Sequence, residues 1–255
     1  MRTVAESALP GPVPRYEIPG WRERYGVHAG ITGRGSPRDP GFDLGLWTDE
    51  PIGQVMERWR AFRGAEPGFP STVLGNQVHG ARVTWYEGRE GWVQLDGVDG
   101  LATATPGVRL TVTVADCVPV YLVLPEQRVA GLLHAGWRGI AAGILRHGVE
   151  LLVERASASV QDIVMHCGVA ICGSCYEVGS EVMERCGLPA SGPGPHHLDL
   201  RTHLATQGRG LGLRHISTSQ FCSAHDRRAF YSHRASSGHD GRMVAYLGFP
   251  VPEIA

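Results

Sequence analysis

The sequence has no long hydrophobic run and no excess of charge of one sign. Among its 255 residues, no stretch approaches the roughly 20 consecutive apolar residues that a transmembrane helix requires. Arg2 is not followed by the apolar segment of a signal peptide. The 24 basic residues, all of them arginine, nearly balance 25 aspartate and glutamate residues, whereas nucleic-acid-binding proteins usually carry a basic surface. We therefore predict a cytoplasmic protein that binds neither a membrane nor a nucleic acid.

Several metal-binding signatures are also missing. None of the 12 histidines forms the His-x-His pairs of a multicopper oxidase centre. The chain has neither His-Glu-x-x-His nor the His-x-Glu…Pro-Cys-x-x-Cys signature of nucleobase deaminases. The six cysteines are expected to be thiols or metal ligands, since disulfides are rare in the cytoplasm. Cys167, Cys172 and Cys175 have the spacing of a plant-type iron–sulfur ligand set, but no suitable fourth cysteine is evident, so we interpret them as a thiol-rich turn.

Strand and helix patterns alternate along most of the chain. The proline-rich residues 1–20 predict a mobile tail, and we expect one catalytic domain over residues 21–255. The apolar runs 119–124 and 129–135 predict a β-hairpin, and a helical pattern begins at Trp137. This alternation predicts an α/β fold, specifically an α+β sandwich of mixed sheets flanked by helices.

The predicted hairpin brings a cysteine and a histidine close together. If its turn is centred between Pro125 and Glu126, then Cys117 and His134 are cross-strand neighbours. The Cβ atoms of such neighbours are about 4.5–5.5 Å apart, which allows both side chains to bind one metal ion. Thiolate and imidazole are common zinc ligands, although a half-buried thiol beside a hydrogen-bonded histidine has the same pattern.

Two neighbouring residues extend this candidate site. Asp116 precedes Cys117 and should point to the opposite face, where it either holds the turn or orients a metal ligand. Arg138 follows His134 where a strand leads into a helix, so it can contact an anion or pair with a carboxylate.

The sequence resembles the laccase-domain family. Four motifs carry the resemblance over residues 76–139, and others follow over residues 168–179, 198–200 and 230–243. The four are Asn-Gln-Val-His-Gly (76–80), Asp-Gly-Val-Asp-Gly-Leu-Ala-Thr (96–103), Ala-Asp-Cys-Val-Pro-Val (115–120) and His-Ala-Gly-Trp-Arg-Gly (134–139). The resemblance implies a fold like that of cysteine hydrolases.

The resemblance also implies a set of site residues. By motif, His79, Cys117 and His134 bind one zinc ion and leave a fourth coordination position open, as in catalytic zinc sites. Older descriptions of the family as polyphenol oxidases make copper the alternative metal. Catalytic roles fall to Cys117, His134, Asp116 and Arg138, and substrate-binding roles to Asn76, Gln77, Arg138, His233 and Arg234.

This chain departs from the family pattern near its beginning. Relatives usually have an arginine where Gly33 stands, and here Arg34 follows one place later. Asp43 replaces the usual asparagine of a second early motif.

The resemblance implies a zinc-dependent enzyme of purine nucleosides, acting by phosphorolysis, by adenosine deamination or by both. Its small-molecule partners would be a nucleoside and phosphate, and we expect a monomer or a weak homodimer. Because some relatives are described as peptidoglycan-editing factors, the alternative is a cysteine hydrolase or amidase with Cys117 as nucleophile and His134 as base. The older polyphenol oxidase activity and a metal-dependent binding module are further alternatives.

Overall fold

The apolar segments of the chain pair into two large β-sheets. The structure, a computed structural model, describes residues 2–35, 41–192 and 194–252. Its strands are β1 (Arg2–Val4), β2 (Ser7–Leu9), β3 (Arg15–Glu17), β4 (His28–Thr32), β5 (Ser71–Asn76), β6 (Val83–Trp85), β7 (Gly91–Asp96), β8 (Gly100–Thr103), β9 (Val108–Val114), β10 (Val118–Leu124), β11 (Val129–Ala135), β12 (Val164–Cys167), β13 (Glu177–Val178), β14 (His196–His197), β15 (His215–Ser219) and β16 (Met243–Gly248). Its helices are α1 (Trp21–Tyr25), α2 (Ile52–Gly64), α3 (Trp137–Ala141), α4 (Ile144–Ala156), α5 (Ser180–Arg185) and α6 (Leu200–Gly210), with a 3-10 turn at Val160–Asp162.

Each large sheet contains seven strands of mixed direction. Sheet A has the order β1-β15-β12-β10-β11-β8-β6, and sheet B has the order β2-β3-β4-β16-β9-β5-β7. Strands β13 and β14 form a separate two-stranded ribbon. The mixed sheets with flanking helices confirm the predicted α+β sandwich.

The core lies in three apolar layers. Side chains of β9 and β16 in sheet B pack against those of β10 and β11 in sheet A, as Leu110, Ala245, Tyr121 and Leu132 illustrate. On its outer face, sheet A is covered mainly by α4 and α6, and sheet B is covered by α2. The central strands are therefore buried on both faces, which explains the continuous apolar runs in their sequences.

The first residues correct the prediction of a mobile tail. Strand β1 pairs with β15 at an edge of sheet A, and β2 and β3 form the corresponding edge of sheet B. Between β1 and β2, Glu6 is buried and contacts His166 Nε2 at 3.1 Å and Ser219 Oγ at 2.8 Å. Prolines that suggested mobility lie in the turn between β2 and β3. The prediction of one domain over residues 21–255 stays a prediction, and its last three residues lie outside the described ranges.

The β10–β11 hairpin forms with a register two residues from the predicted one. Pro119, not Cys117, lies opposite His134, because the turn takes all four residues of 125–128. Cys117 lies one residue before β10. Since side chains alternate with a period of two, this even shift leaves Cys117 and His134 on the same face of sheet A.

The helix predicted from Trp137 onward is interrupted. Gly143 has φ 83°, in the left-handed region, and separates α3 from α4. Within the described part of the chain, no helix has the length and apolarity needed to cross a membrane.

Candidate functional site

The chain passes from sheet B to sheet A twice at the same edge. Strands β5 and β9 are parallel neighbours in sheet B, so their carboxyl ends lie side by side. Both then cross to sheet A, and the two crossings contain His79 and Cys117 respectively. Because β11 runs antiparallel to β10, the carboxyl end of β11 lies beside the start of β10. His134, near that end, therefore lies close to Cys117.

These three side chains form a candidate metal centre. One ligand atom from each of His79, Cys117 and His134 lies within 4.8 Å of the others. The imidazole rings of His79 and His134 meet edge to face with their centroids 4.8 Å apart. His134 is buried, whereas His79 is exposed, so the group is reached from one side only.

The donor atoms and the space between them fit a metal ion. One thiolate and two imidazole nitrogens are ligands that zinc and similar divalent metals accept. Gly136 borders this group, and a Cβ atom there would lie 3.0 Å from Cys117 Sγ and 3.2 Å from His79 Cδ2. The missing side chain at Gly136 therefore keeps space open beside the ligands.

Asp99 holds two of the candidate ligands in place. Its Oδ1 atom lies 2.9 Å from His134 Nδ1 and accepts the backbone N–H of His79 at 2.9 Å. Its Oδ2 atom accepts the N–H groups of Val78 and Gly80. A carboxylate can only accept, so Nδ1 of His134 carries the proton and Nε2 is directed to the metal position. His79 has φ 59°, a conformation that these backbone hydrogen bonds stabilise.

The charges of the site favour a thiolate beside an imidazolium when no metal is bound. Burial alone would raise the pKa of Cys117, but His134 and His79 lower it to about 6. Burial alone would lower the pKa of His134, but Cys117 and Asp99 raise it to about 9. Burial likewise opposes ionisation of Asp99, yet hydrogen bonds from His134 and the backbone keep its pKa below the usual value. Cys117 is therefore in the ionised form that metals bind at neutral pH.

The candidate centre opens into a cavity of about 430 Å³. This cavity gathers every residue that the sequence analysis proposed for the site, although their roles stay predictions. They are Asn76, Gln77, His79, Asp116, Cys117, His134, Arg138, His233 and Arg234.

Asp116 organises the wall of the cavity. It is buried with φ 86°, and its Oδ1 atom accepts the hydroxyl groups of Ser223 and Ser232, each at 2.7 Å. Its Oδ2 atom accepts the backbone N–H of Arg234 at 2.6 Å. Of the two roles left open for this residue, its described contacts are those of holding a turn, and Asp99 is the residue that contacts two of the candidate metal ligands.

The two amides of the first motif already have protein partners. Gln77 donates to the Thr113 carbonyl at 2.8 Å and accepts the Thr113 N–H and hydroxyl. Asn76 donates from Nδ2 to Asp96 Oδ1 at 3.1 Å. Gln77 therefore ties the β5–β6 crossing to β9.

The cationic side chains of the cavity differ in how firmly they are held. Arg138 is exposed, and its guanidinium lies over the Trp137 ring at 4.4 Å. Arg234 lies over the Tyr176 ring at 4.9 Å and donates to the Glu177 carbonyl at 2.8 Å. Among the hydrogen bonds of the described residues, none uses the guanidinium of Arg138.

The departures from the family pattern have structural explanations. A Cβ atom at Gly33 would lie 2.8 Å from the Tyr16 ring and 3.0 Å from the Ala229 carbonyl, so this position has no space for an arginine. Arg34 instead pairs with Asp240 and lines a neighbouring cavity of about 660 Å³. Asp43 is buried and accepts the backbone N–H of Arg242 at 2.7 Å, which links it to a residue of the candidate cavity.

Asp99, Tyr176 and Arg242 were missed by the sequence analysis. Asp99 lies inside the Asp-Gly-Val-Asp-Gly motif, so an acidic residue between two glycines was the available signal. Tyr176 and Arg242 line the cavity from segments that lie far along the chain, and each stands in a stretch that matches the family.

Comparisons with known proteins identify the family of the chain. The family model described as multi-copper polyphenol oxidoreductase laccase matches residues 28–250. A protein of Geobacillus stearothermophilus named purine nucleoside phosphorylase YlmD is 38% identical over 69% of this chain and 71% of its own. One of Deinococcus radiodurans named purine nucleoside phosphorylase is 38% identical over 82% of this chain and 83% of its own.

Solved structures extend the similarity to the fold. The crystal structure of YlmD from Geobacillus stearothermophilus has a TM-score of 0.84 and 30% identity, covering 95% of this chain and 98% of that one. The crystal structure of a hypothetical protein YfiH from Bacillus licheniformis also has a TM-score of 0.84, with 27% identity over 93% and 97% of the two chains. The chain belongs to the laccase-domain family, as its sequence motifs predicted.

Proposed function

We propose that the protein is a zinc-dependent purine nucleoside phosphorylase whose substrates are a nucleoside and phosphate. The observation that supports this most strongly is the group His79, Cys117 and His134, which offers three donors and opens into the cavity. Three protein ligands with one open position are typical of catalytic zinc sites, whereas structural sites have four. The relatives named purine nucleoside phosphorylase supply the substrate class.

The walls of the cavity suit both parts of a nucleoside phosphorolysis reaction. The rings of Trp47, Trp137 and Tyr176 offer faces on which a purine base can stack. Arg138, Arg234 and Arg242 offer positive charge to phosphate. In this reaction a phosphate oxygen bonds to the anomeric carbon of ribose as the bond to the base breaks and the base takes a proton. When bound, zinc would supply a Lewis acid beside the reacting oxygen atoms.

The direct test uses the purified full chain with its metal measured by mass spectrometry. We expect zinc rather than copper, and we expect base release from inosine or adenosine only when phosphate is present. Cys117→Ala should remove the metal of this centre and the activity together, whereas the exposed His215→Ala should change neither. A zinc-loaded protein that releases no base from either nucleoside would refute the proposal.

Arg138 separates phosphorolysis from adenosine deamination. Because its guanidinium is exposed in the cavity, we expect Arg138→Ala to weaken phosphorolysis by about 1.5–3 kcal/mol, the value of one charge-assisted hydrogen bond. Ammonia release from adenosine needs no phosphate and should fall much less. Arg146→Ala, on the exposed side of α4, is the matched control. Equal losses in both reactions would show that Arg138 shapes the cavity and does not bind phosphate.

One observation favours a second candidate function. Cys117 contacts His134, and His134 contacts Asp99, as the nucleophile, the base and the orienting acid do in cysteine hydrolases. The Cys117 pKa of about 6 also suits a nucleophile. Metal content distinguishes the two functions, because a zinc-bound thiolate is a poor free nucleophile. If Cys117→Ala left the metal content unchanged and Cys117 of the wild-type protein were rapidly alkylated by iodoacetamide, the hydrolase would be favoured.

A further inference from the structure

A second group of metal-ligand side chains lies outside the candidate centre. Ligand atoms of Cys172, Cys175, Cys222 and His225 lie within 4.8 Å of one another. The group comes from two segments, one with the spacing Cys-x-x-Cys and the other with the spacing Cys-x-x-His. Paired knuckles of this spacing are typical of zinc sites with four protein ligands. The fourth ligand that the sequence analysis did not find is thus a histidine, which lies 50 positions after Cys175.

Each segment folds into a tight turn that directs its two ligands to the same side. In the first turn, the N–H groups of Cys175 and Tyr176 donate to the Cys172 carbonyl at 3.1 and 3.0 Å. In the second turn, the N–H groups of His225 and Asp226 donate to the Cys222 carbonyl at 3.2 and 2.8 Å. The backbone of both turns is therefore held by hydrogen bonds of its own.

Backbone contacts also hold the two turns against each other. Ala170 and Cys222 form a parallel β-bridge, and the Ser223 N–H donates to the Ala170 carbonyl at 3.1 Å. The Cys172 N–H donates to Cys222 Sγ at 3.3 Å, a contact that stabilises a thiolate. The ligands are consequently preorganised by the fold, and a metal ion would not need to draw distant segments together.

The side chains themselves crowd around one point. Cys175 Sγ lies 3.0 Å from His225 Nε2, and Cys172 Sγ lies 3.8 Å from His225 Nδ1. Cys222 is buried, whereas the His225 ring is exposed and closes the group toward solvent.

A third group of potential ligands differs from the cysteine group in having positively charged partners. Glu17, His28 and Glu66 also lie within 4.8 Å of one another, but Arg22 and Arg15 already neutralise the carboxylates there. Among the described hydrogen bonds, the thiols of Cys172, Cys175 and Cys222 contact Ser174, His225 and the Cys172 N–H, and none contacts an arginine.

We propose that Cys172, Cys175, Cys222 and His225 bind one zinc ion as a structural site, distinct from the centre at Cys117. Three thiolates and one imidazole select zinc among the divalent metals of the cell, and four protein ligands leave no position for substrate.

The position of this site gives it a defined role. Tyr176 follows the first turn, and Ser223, which donates to Asp116, follows Cys222. Arg234 connects the two sides, because its backbone N–H donates to Asp116 at 2.6 Å, while its guanidinium lies over the Tyr176 ring and donates to the Glu177 carbonyl. The zinc ion therefore fixes one wall of the candidate cavity and positions Tyr176 and Arg234.

Metal content of the full chain tests the proposal directly. We expect two zinc ions per chain in the wild-type protein, one in Cys117→Ala, one in the double variant Cys172→Ser/Cys175→Ser, and none when all three changes are combined. His225→Ala removes an exposed ligand and has little effect on packing, so it provides a variant that should fold even if the double variant does not. Cys186→Ser, which removes a cysteine outside both groups, should retain two zinc ions.

Cobalt substitution identifies the ligands independently of stability. In the Cys117→Ala background, Co²⁺ should give an intense sulfur-to-cobalt charge-transfer absorption, which His225→Cys retains and Cys172→Ser/Cys175→Ser abolishes. The proposal is overturned if Cys117→Ala alone removes all zinc, or if non-reducing peptide mapping finds Cys172 and Cys175 joined by a disulfide. Both outcomes are read without any nucleoside assay, so they are separate from the test of the proposed function.

Discussion

Asp99 connects two of the three candidate metal ligands through a single carboxylate. Both of its oxygen atoms are used, one by His134 Nδ1 and the His79 N–H, the other by two further backbone N–H groups. The sequence did not identify this role, because the partner on β11 lies 35 positions away along the chain. Hydrophobic alternation fixed which face Cys117 and His134 share, but only the fold could identify what stands behind them.

We expect Asp99→Asn to weaken zinc binding about 10–100-fold, the usual effect of removing a partner that orients a metal-binding histidine. The amide NH₂ would face an N–H donor in place of an accepting oxygen, so at least one of the present hydrogen bonds is lost. Competition with a chromogenic chelator measures the affinity. Asp162→Asn, at an exposed position, controls for the charge change. Unchanged zinc affinity in Asp99→Asn would remove Asp99 from the metal centre.

Gly136→Ala tests whether the space beside the ligands is needed. The new Cβ atom would lie 3.0 Å from Cys117 Sγ, so we expect zinc binding to weaken by about 1–3 kcal/mol, the cost of overpacking. Gly179→Ala is a matched control: Gly179 has φ −78° and ψ 165° before a helix, against −80° and 167° at Gly136, and no atom within 4 Å of the added Cβ. If both variants bind zinc equally, the space at Gly136 has no role in the metal centre.

At the scale of elements, patterns of apolar residues predicted the strands and helices better than their junctions. The runs 119–124 and 129–135 do form the β10–β11 hairpin, yet its register depends on how many residues the turn uses. The helical pattern from Trp137 continues through Gly143, but the left-handed backbone of this glycine divides it into α3 and α4. Short-range patterns do not contain this information, because turn length and backbone handedness are decided by packing.

Glu66 ties the end of α2 to the edge of sheet B. It follows α2 and contacts Arg15 at 2.9 Å, Arg22 at 2.7 Å and His28 at 3.2 Å, and buried Arg109 lies 4.0 Å away. Burial alone would raise the pKa of Glu66, but hydrogen bonds from His28 and Arg22 and the charge of Arg15 lower it to about 2. Because the pKa is lowered in the folded protein, the stabilisation is complete above pH 4.5 and is lost as pH falls toward 2.

We therefore expect Glu66→Gln to lower the free energy of unfolding by about 3–5 kcal/mol at pH 7, since buried arginine charge is left unpaired. The difference from wild type should narrow between pH 4.5 and 3, as measured by urea unfolding at several pH values. Glu181→Gln breaks an exposed pair with Arg185 and should cost less than about 1 kcal/mol. A difference for Glu66→Gln that does not change with pH would contradict the ion-pair explanation.

At the scale of the whole molecule, the site exists because two parallel strands of sheet B send the chain to sheet A at the same edge. Composition and motifs predicted the fold class and nine of the 22 residues that line the cavity, because the motifs of residues 76–80 and 115–120 lie at these two crossings and that of residues 134–139 begins at the end of β11. The strand order could not be predicted in this way. It depends on contacts between segments far apart in sequence, such as β1 with β15 and β4 with β16. The Cys-x-x-Cys and Cys-x-x-His segments are likewise far apart in sequence, and only the fold brings them together.

The last prediction concerns strands β1 and β2. Removing a mobile tail would leave stability and association unchanged, whereas removing two edge strands should change both. Deleting residues 1–9 should lower the free energy of unfolding by about 1–3 kcal/mol or more, since buried His166 loses its contact with Glu6. It should also promote association, because the deletion uncovers the edges of β15 in sheet A and β3 in sheet B. Urea unfolding and size-exclusion chromatography measure the two effects.

The variant Glu6→Gln separates the buried contacts from the strands themselves. It retains β1 and β2 but replaces the carboxylate that contacts His166 and Ser219, so it should lose stability without associating. Glu23→Gln, at an exposed position on α1, is the control and should match wild type. If the deletion variant were as stable and as monodisperse as the full chain, residues 2–9 would behave as part of the tail that the proline-rich residues 1–20 predicted, and their place at the edges of both sheets would contribute nothing to folding.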